Sequence, residues 1–140
     1  MKLVIHNNEI LTDRAATADC YRKISRPGPE SCGCGHCLGW IAARPFVVTP
    51  KIRRILQQLG IPLNGEIEVW HVDGTQKDNH YGGWYMFVGE ILSRPEGEFN
   101  VDGVDFRFSR GCSYDVAAFE QYSVNELHFS TETDSSTITP

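Results

Sequence analysis

The run Tyr81-Gly82-Gly83-Trp84-Tyr85-Met86-Phe87-Val88-Gly89-Glu90-Ile91-Leu92 constrains the fold more than any other part of the chain. Its middle is apolar on both alternating faces, the pattern of a strand covered on both sides near the centre of a sheet. Upstream, beyond a polar turn region from Asp73 to His80, Glu66-Ile67-Glu68-Val69-Trp70-His71-Val72 reads as the strand it returns along. The apolar phase of that strand shifts at Trp70, which predicts a bulge. Downstream, Phe99 and Val101 lead into Asp102-Gly103, a hairpin signal, and Val104, Phe106 and Phe108 then alternate with Asp105, Arg107 and Ser109. Leu127 and Phe129 alternate with Glu126, His128 and Ser130 in a last strand, and Lys2–Ile5 with Glu9–Leu11 predict a short hairpin around Asn7-Asn8.

One helix is signalled at both ends. Thr49 is a good N-cap, and Pro50 occupies the first helical position, where its missing N–H costs nothing. Ile52, Ile55, Leu56 and Leu59 follow at i, i+3, i+4 and i+7 as one apolar stripe. Gly60 supplies a left-handed stop, Ile61 can fold back on Leu56, and Pro62 blocks continuation. The breaker cluster Ser25-Arg26-Pro27-Gly28-Pro29 opens a loop that is expected to run through the cysteine-rich segment to about Trp40. The expected fold class is α+β: an antiparallel sheet of about five strands packed on one main helix over about 50–59, with a cysteine-rich loop. Residues 1–130 are expected to form a single domain, and the polar Ser/Thr-rich 131–140 a frayed tail.

With 140 residues, 41% hydrophobic and 22% charged, the chain has an ordinary globular composition. No apolar run approaches the roughly 20 residues that span a bilayer, and the N-terminal apolar stretch is too short for a signal peptide. A cytoplasmic protein is therefore expected. The net charge of −5 is unevenly spread: residues 1–64 carry nine Lys/Arg against four Asp/Glu, whereas residues 65–140 carry four against fourteen. An acidic half disfavours nucleic acid and membranes and suits a basic protein surface. The same imbalance also serves plain solubility.

Chemistry concentrates in Cys32-Gly33-Cys34-Gly35-His36-Cys37. Intervening glycines let the backbone fold so that several sulfurs converge. Zinc takes four such ligands in a tetrahedron. Adjacent His36 and Cys37 would rarely both reach one ion, so Cys32, Cys34 and Cys37 need a fourth ligand, with Cys20, Cys112, His6 and His71 as candidates. The alternative is a tight loop whose cysteines pack as small hydrophobes. A structural disulfide is disfavoured by the cytoplasmic expectation and the odd count of five cysteines. A redox pair Cys34/Cys37 is disfavoured because the helix that would depress a thiol pKa is expected only from Thr49.

Signals of catalysis are absent from the sequence pattern. A cysteine nucleophile with His71 or His80 lacks an orienting motif, Tyr81-Gly82-Gly83-Trp84 fails the phosphate-loop test, and no serine sits in a nucleophile elbow. Glu66 and Glu68 read as a solvated strand face. Tyr and Trp beside acidic groups are what a protein-binding surface uses. Glu66, Glu68, Asp73, Asp78, Tyr81 and Trp84 therefore form the candidate partner-binding patch.

Taken in order, Pro27-Gly28-Pro29-Glu30-Ser31-Cys32-Gly33-Cys34-Gly35-His36-Cys37, the helix end Leu59-Gly60-Ile61, Glu68-Val69 and Tyr81-Gly82-Gly83-Trp84-Tyr85-Met86-Phe87-Val88-Gly89 resemble a family of uncharacterised bacterial proteins. Its members carry Cys-x-Cys-x-x-Cys, a Leu-Gly-Ile helix end and Tyr-Gly-Gly-Trp-aromatic-His-Phe-Val-Gly, and the similarity covers about residues 27–130. Met86 departs from the family's histidine, Leu38-Gly39-Trp40 replaces a polar Arg-Asn pair, and the Ser/Thr-rich tail lacks an apolar ending. A metal-ligating or catalytic role for that histidine in relatives would not carry over. The resemblance implies an association with bacterial toxin–immunity loci. The leading expectation is thus an immunity-type binding protein, not an enzyme, that neutralises a cognate toxin by direct contact. The alternative is a small zinc-binding domain, structural or regulatory, built on Cys32, Cys34 and Cys37.

Overall fold

The computed structural model of the chain describes residues 1–24, 28–72, 79–94, 97–112 and 115–133. Strands β1 (Lys2–Ile5) and β2 (Asn8–Thr12) form a hairpin, followed by helices α1 (Arg14–Arg22), α2 (Gly28–Cys32), α3 (Gly35–Val47) and α4 (Pro50–Leu59). Strands β3 (Glu68–Val72), β4 (Asn79–Ser93), β5 (Glu98–Val101) and β6 (Val104–Arg110) come next, then a 3-10 turn at Ala117–Phe119 and β7 (Val124–Thr133). The strands run in the order β1-β2-β4-β7-β6-β5, with β3 on the remaining stretch of the β4 edge, and every pairing is antiparallel.

The α+β class and the antiparallel sheet agree with the sequence, but the described residues hold seven strands and four helices, against about five and one expected. The extra strands arise because the β1–β2 hairpin adds itself to β4 through β2. Its turn uses His6 and Asn7, both at positive φ (46° and 66°), one residue earlier than the Asn7-Asn8 expectation. Of the extra helices, α2 and the first half of α3 fall in the segment expected to be a loop, and α1 lies ahead of it. α3 contains Gly35, Gly39 and Pro45, all poor helix formers. What holds it is tertiary: Cys37, Trp40, Ala43 and Val47 form a buried stripe against the sheet. Trp40 lies 5.1 Å from the Phe129 ring and 5.5 Å from the Tyr81 ring. Gly39 is needed at that crossing, because a Cβ there would sit 2.5 Å from the Tyr81 hydroxyl.

Helix α4 follows its sequence signals residue for residue. Thr49 caps it by accepting the Ile52 N–H, Gly60 is left-handed (φ 82°), and the Ile61 N–H returns to the Leu56 carbonyl at 2.9 Å. Ile52, Ile55, Leu56 and Leu59 are buried in the core with Tyr85, Phe87, Phe106, Phe108, Leu127 and Phe129. The Asp102-Gly103 hairpin also forms as expected, with both residues at positive φ. The bulge expected at Trp70 does not form, since β3 pairs in unbroken register from Glu68 opposite Trp84 to Val72 opposite His80. The phase shift has another cause. Trp70 lies over its cross-strand partner Gly82, where a Cβ would meet the indole at 1.9 Å, so a large apolar ring covers the bare glycine backbone. The tail expected to fray from 131 is strand to Thr133, and residues 134–140 lie outside the described residues. Among the described residues, no helix is long and apolar enough to cross a membrane.

Between its contacts with β3 and β2, strand β4 presents a stretch of edge that no strand covers. The Thr17 and Tyr21 side chains of α1 and the backbone of its N-cap Asp13 satisfy it. The Tyr21 hydroxyl donates to the Met86 carbonyl at 3.0 Å and accepts the Met86 N–H at 3.1 Å. Thr17 Oγ1 accepts the Val88 N–H at 2.9 Å, and the Asp13 N–H donates to the Val88 carbonyl at 3.0 Å. Tyr21→Phe would leave a buried donor and acceptor unmatched, a loss of about 1–3 kcal/mol. Urea denaturation should show that loss; an unchanged midpoint would mean that water replaces the hydroxyl without cost.

Candidate metal centre

Helices α2 and α3 bring three cysteines together. Cys32 is the last residue of α2, Gly33 turns left-handed (φ 71°), and Cys34 is the N-cap of α3 in extended conformation. Cys34 caps through sulfur, its Sγ accepting the Cys37 N–H at 3.4 Å, which places Cys37 on the first turn over the same spot. The three Sγ atoms all lie within 4.8 Å of one another. Tetrahedral zinc with Zn–S bonds of about 2.3 Å needs sulfurs about 3.8 Å apart, so small side-chain rotations close the gap. Cys32 and Cys34 are exposed and Cys37 is buried, giving a cluster with a covered floor and an open mouth.

This environment splits the thiol acidities. The backbone N–H of Cys37, then the Cys32 and Cys37 side chains, hydrogen-bond the Cys34 sulfur and draw its pKa down to about 7. Burial pushes the Cys37 thiol up, and its hydrogen bonds to Cys34 and Cys32 hold its proton further. Near neutral pH the cluster therefore holds a partly ionised outer sulfur beside a protonated inner one. Thiolate is the form that binds metal or attacks disulfides. The expectation that no helix follows Cys34 and Cys37 is overturned, because α3 begins at Gly35.

A partly buried ion-pair network fixes the two helices. Arg44 of α3 reaches Glu30 of α2 with Nη1–Oε1 at 2.7 Å, and Glu66, just ahead of β3, with Nη2–Oε1 at 2.7 Å. Glu30 precedes Cys32 by two residues, so this pair holds α2 where Cys32 meets the α3 cysteines. Glu66 is fully buried. Burial raises its pKa to about 7, outweighing the Arg44 guanidinium, which favours the ionised form. Neither Arg44 nor Glu30 carries a sequence signal for a site. They are charged residues on α2 and α3, Glu30 in the segment expected to be a loop and Arg44 just past it.

Of the possible fourth ligands, Cys20 is buried in α1, Cys112 is exposed just past β6, and His6 stacks on Phe99 at 4.9 Å; none belongs to the sulfur cluster. His71 comes to this end of the sheet, its ring stacked at 4.2 Å on His36 of the first α3 turn and edge-on to Tyr81 at 5.0 Å. His80 follows the opposite face of the sheet, with Nε2 2.7 Å from Ser130 Oγ, so it does not meet the cysteines.

The candidate partner-binding patch does not assemble as one exposed surface. Strand β3 begins at Glu68 rather than Glu66, so Glu66 turns inward to Arg44 while Glu68 stays exposed. Tyr81 (2% exposed) faces the core with Trp40, and Trp84 (6% exposed) is covered on the outer face beside His128. Asp73 and Asp78 lie outside the described residues.

Compared with protein-family models, curated proteins and solved structures, the chain matches none of them. The site's chemistry therefore rests on its own geometry.

The raised Glu66 pKa has a pH signature. Between about pH 4.5 and 7 the folded chain binds a proton at Glu66 that the unfolded chain releases, so this carboxyl's stabilisation is full below that window. It is lost as pH rises through 7. Across the window, the wild type should lose stability relative to Glu66→Gln by up to about 1.4 kcal/mol per pH unit as pH rises. Parallel stability–pH curves for the two proteins, measured by urea unfolding, would contradict the assignment.

Proposed function

We propose that this chain is a small zinc-binding domain in which Cys32, Cys34 and Cys37 hold one Zn²⁺ between helices α2 and α3. The observation that carries this reading is the convergence of the three sulfurs within 4.8 Å. Soft thiolate ligands favour zinc among the divalent ions with tetrahedral sites. Three thiolates leave a fourth position, which the exposure of Cys32 and Cys34 opens to solvent and to an exchangeable ligand. The ion's role is regulatory or structural: bound, it crosslinks α2 to α3; removed, it leaves that task to packing and to the Arg44–Glu30 pair.

Purified protein should bind about one zinc per chain, and a chelator should lower its Tm, because the ion binds only the folded site. Loss of a group merely supporting a ligand costs roughly 10–100-fold in affinity, so replacing Cys32, Cys34 or Cys37 by Ser should cost at least about tenfold. Cys112→Ser serves as the control and should bind normally. Zinc stoichiometry near zero, or equal affinity in all four variants, would sink the reading.

A second reading, an immunity-type protein that covers a cognate toxin, is supported by a different surface from the expected acidic patch. Leu38, Ala42, Pro45 and Phe46 are all exposed along one side of α3, with Leu38 and Phe46 more than half exposed. Exposed apolar rows of this kind mark protein contacts. Leu38→Glu with Phe46→Glu should abolish protection of a toxin-expressing strain while leaving circular dichroism unchanged. Retained protection would exclude this face.

A further inference from the structure

The same cluster has the layout of a reactive dithiol, and we infer that the metal-free chain carries out thiol–disulfide exchange with low-molecular-weight disulfides such as oxidised glutathione, through Cys34 as attacking and Cys37 as resolving sulfur. This inference does not depend on zinc binding, since it concerns the protein with chelator present.

Three observations carry it. Cys34 is exposed and sits at the N-cap of a thirteen-residue helix, open to a disulfide from solvent. Cys37 lies one turn later, buried, with its own N–H donated to Cys34 Sγ at 3.4 Å. A disulfide entering from solvent therefore meets the exposed Cys34 before the buried Cys37, and the resolving sulfur waits beneath. The two sulfurs lie within 4.8 Å, and a disulfide of about 2.0 Å is reached by turning side chains on a first-turn i, i+3 pair, whose Cβ atoms are neighbours. Cys112, exposed and outside the three-sulfur group, serves as the control.

The chemistry balances as two displacements. The Cys34 thiolate attacks one sulfur of glutathione disulfide; a mixed disulfide forms, and the S–S electron pair leaves with the first glutathione thiolate. Cys37 then attacks Cys34 Sγ and loses its proton. The Cys34–Cys37 bond forms, the mixed disulfide breaks, and the second glutathione leaves with that proton. The chain has lost two electrons to the glutathione disulfide, which is reduced to two thiols.

Chelator-treated full-length protein is incubated with oxidised glutathione, quenched with acid and analysed by peptide mass mapping. Wild type should yield a Cys34–Cys37 disulfide and a persistent glutathione adduct only at Cys112. In Cys37→Ser the adduct should accumulate on Cys34 to at least about ten times its wild-type level, and in Cys34→Ser no bond should form between Cys32 and Cys37 at the wild-type rate. A stable adduct on wild-type Cys34 would overturn the proposal, as would a Cys32–Cys34 bond that forms equally well in wild type and Cys37→Ser. Because zinc is absent throughout, a failed zinc titration and a failed exchange reaction remain separate results.

Discussion

Arg44 is the charge on which the arrangement of this end of the molecule depends. Its guanidinium is largely removed from water and reaches two carboxylates from different parts of the chain, Glu30 on α2 and Glu66 ahead of β3. Taking such a cation out of water is costly, and a pair of this kind is weak evidence of added stability. What it does supply is position. Removing the guanidinium would leave Glu66 buried without its cation, so the low-energy way to satisfy all three groups is to dock α2, α3 and the start of β3 together. That docking places Cys32 against Cys34 and Cys37. The short α2, only five residues long, is held besides by buried Pro29 and by the close approach of Gly28 to the Glu66 carbonyl.

The parts of the fold that were legible in the sequence are those with local causes. Thr49, Pro50 and Gly60 delimit α4 by hydrogen bonds within a few residues, and Asp102-Gly103 sets its hairpin by backbone conformation alone. α3 was not legible because its two glycines and Pro45 oppose helix formation, and its buried stripe of Cys37, Trp40, Ala43 and Val47 gains its energy from a sheet far along the chain. Spacing alone placed Cys32, Cys34 and Cys37 together as candidates, since six residues interrupted by glycine can hardly scatter them. The pairing of Arg44 with Glu66 spans 22 residues and matches no motif. Reading Glu66 by strand alternation put it beside Glu68 in solvent, whereas the strand starts two residues later and Glu66 turns inward.

Metal binding and disulfide exchange compete for the same sulfurs. An ion on Cys32, Cys34 and Cys37 needs all three as thiolates, which its charge favours despite the burial that raises Cys37. Oxidation of Cys34 with Cys37 removes two of the three ligands. The two chemistries therefore describe two exclusive states of one cluster, with Arg44 and Glu30 holding α2 and α3 together in either. The apolar side of α3, with Leu38 one turn beyond Cys34, adjoins that cluster, so any protein docked there would lie beside the ion.

X-ray absorption at the zinc edge tests the central claim most directly, because it counts the sulfurs on the ion in the whole protein. The account predicts about three sulfur neighbours at about 2.3 Å with one lighter oxygen or nitrogen neighbour near 2.0 Å, falling to two sulfurs in Cys32→Ser. A spectrum fitted by oxygen and nitrogen alone, unchanged by that substitution, would contradict it.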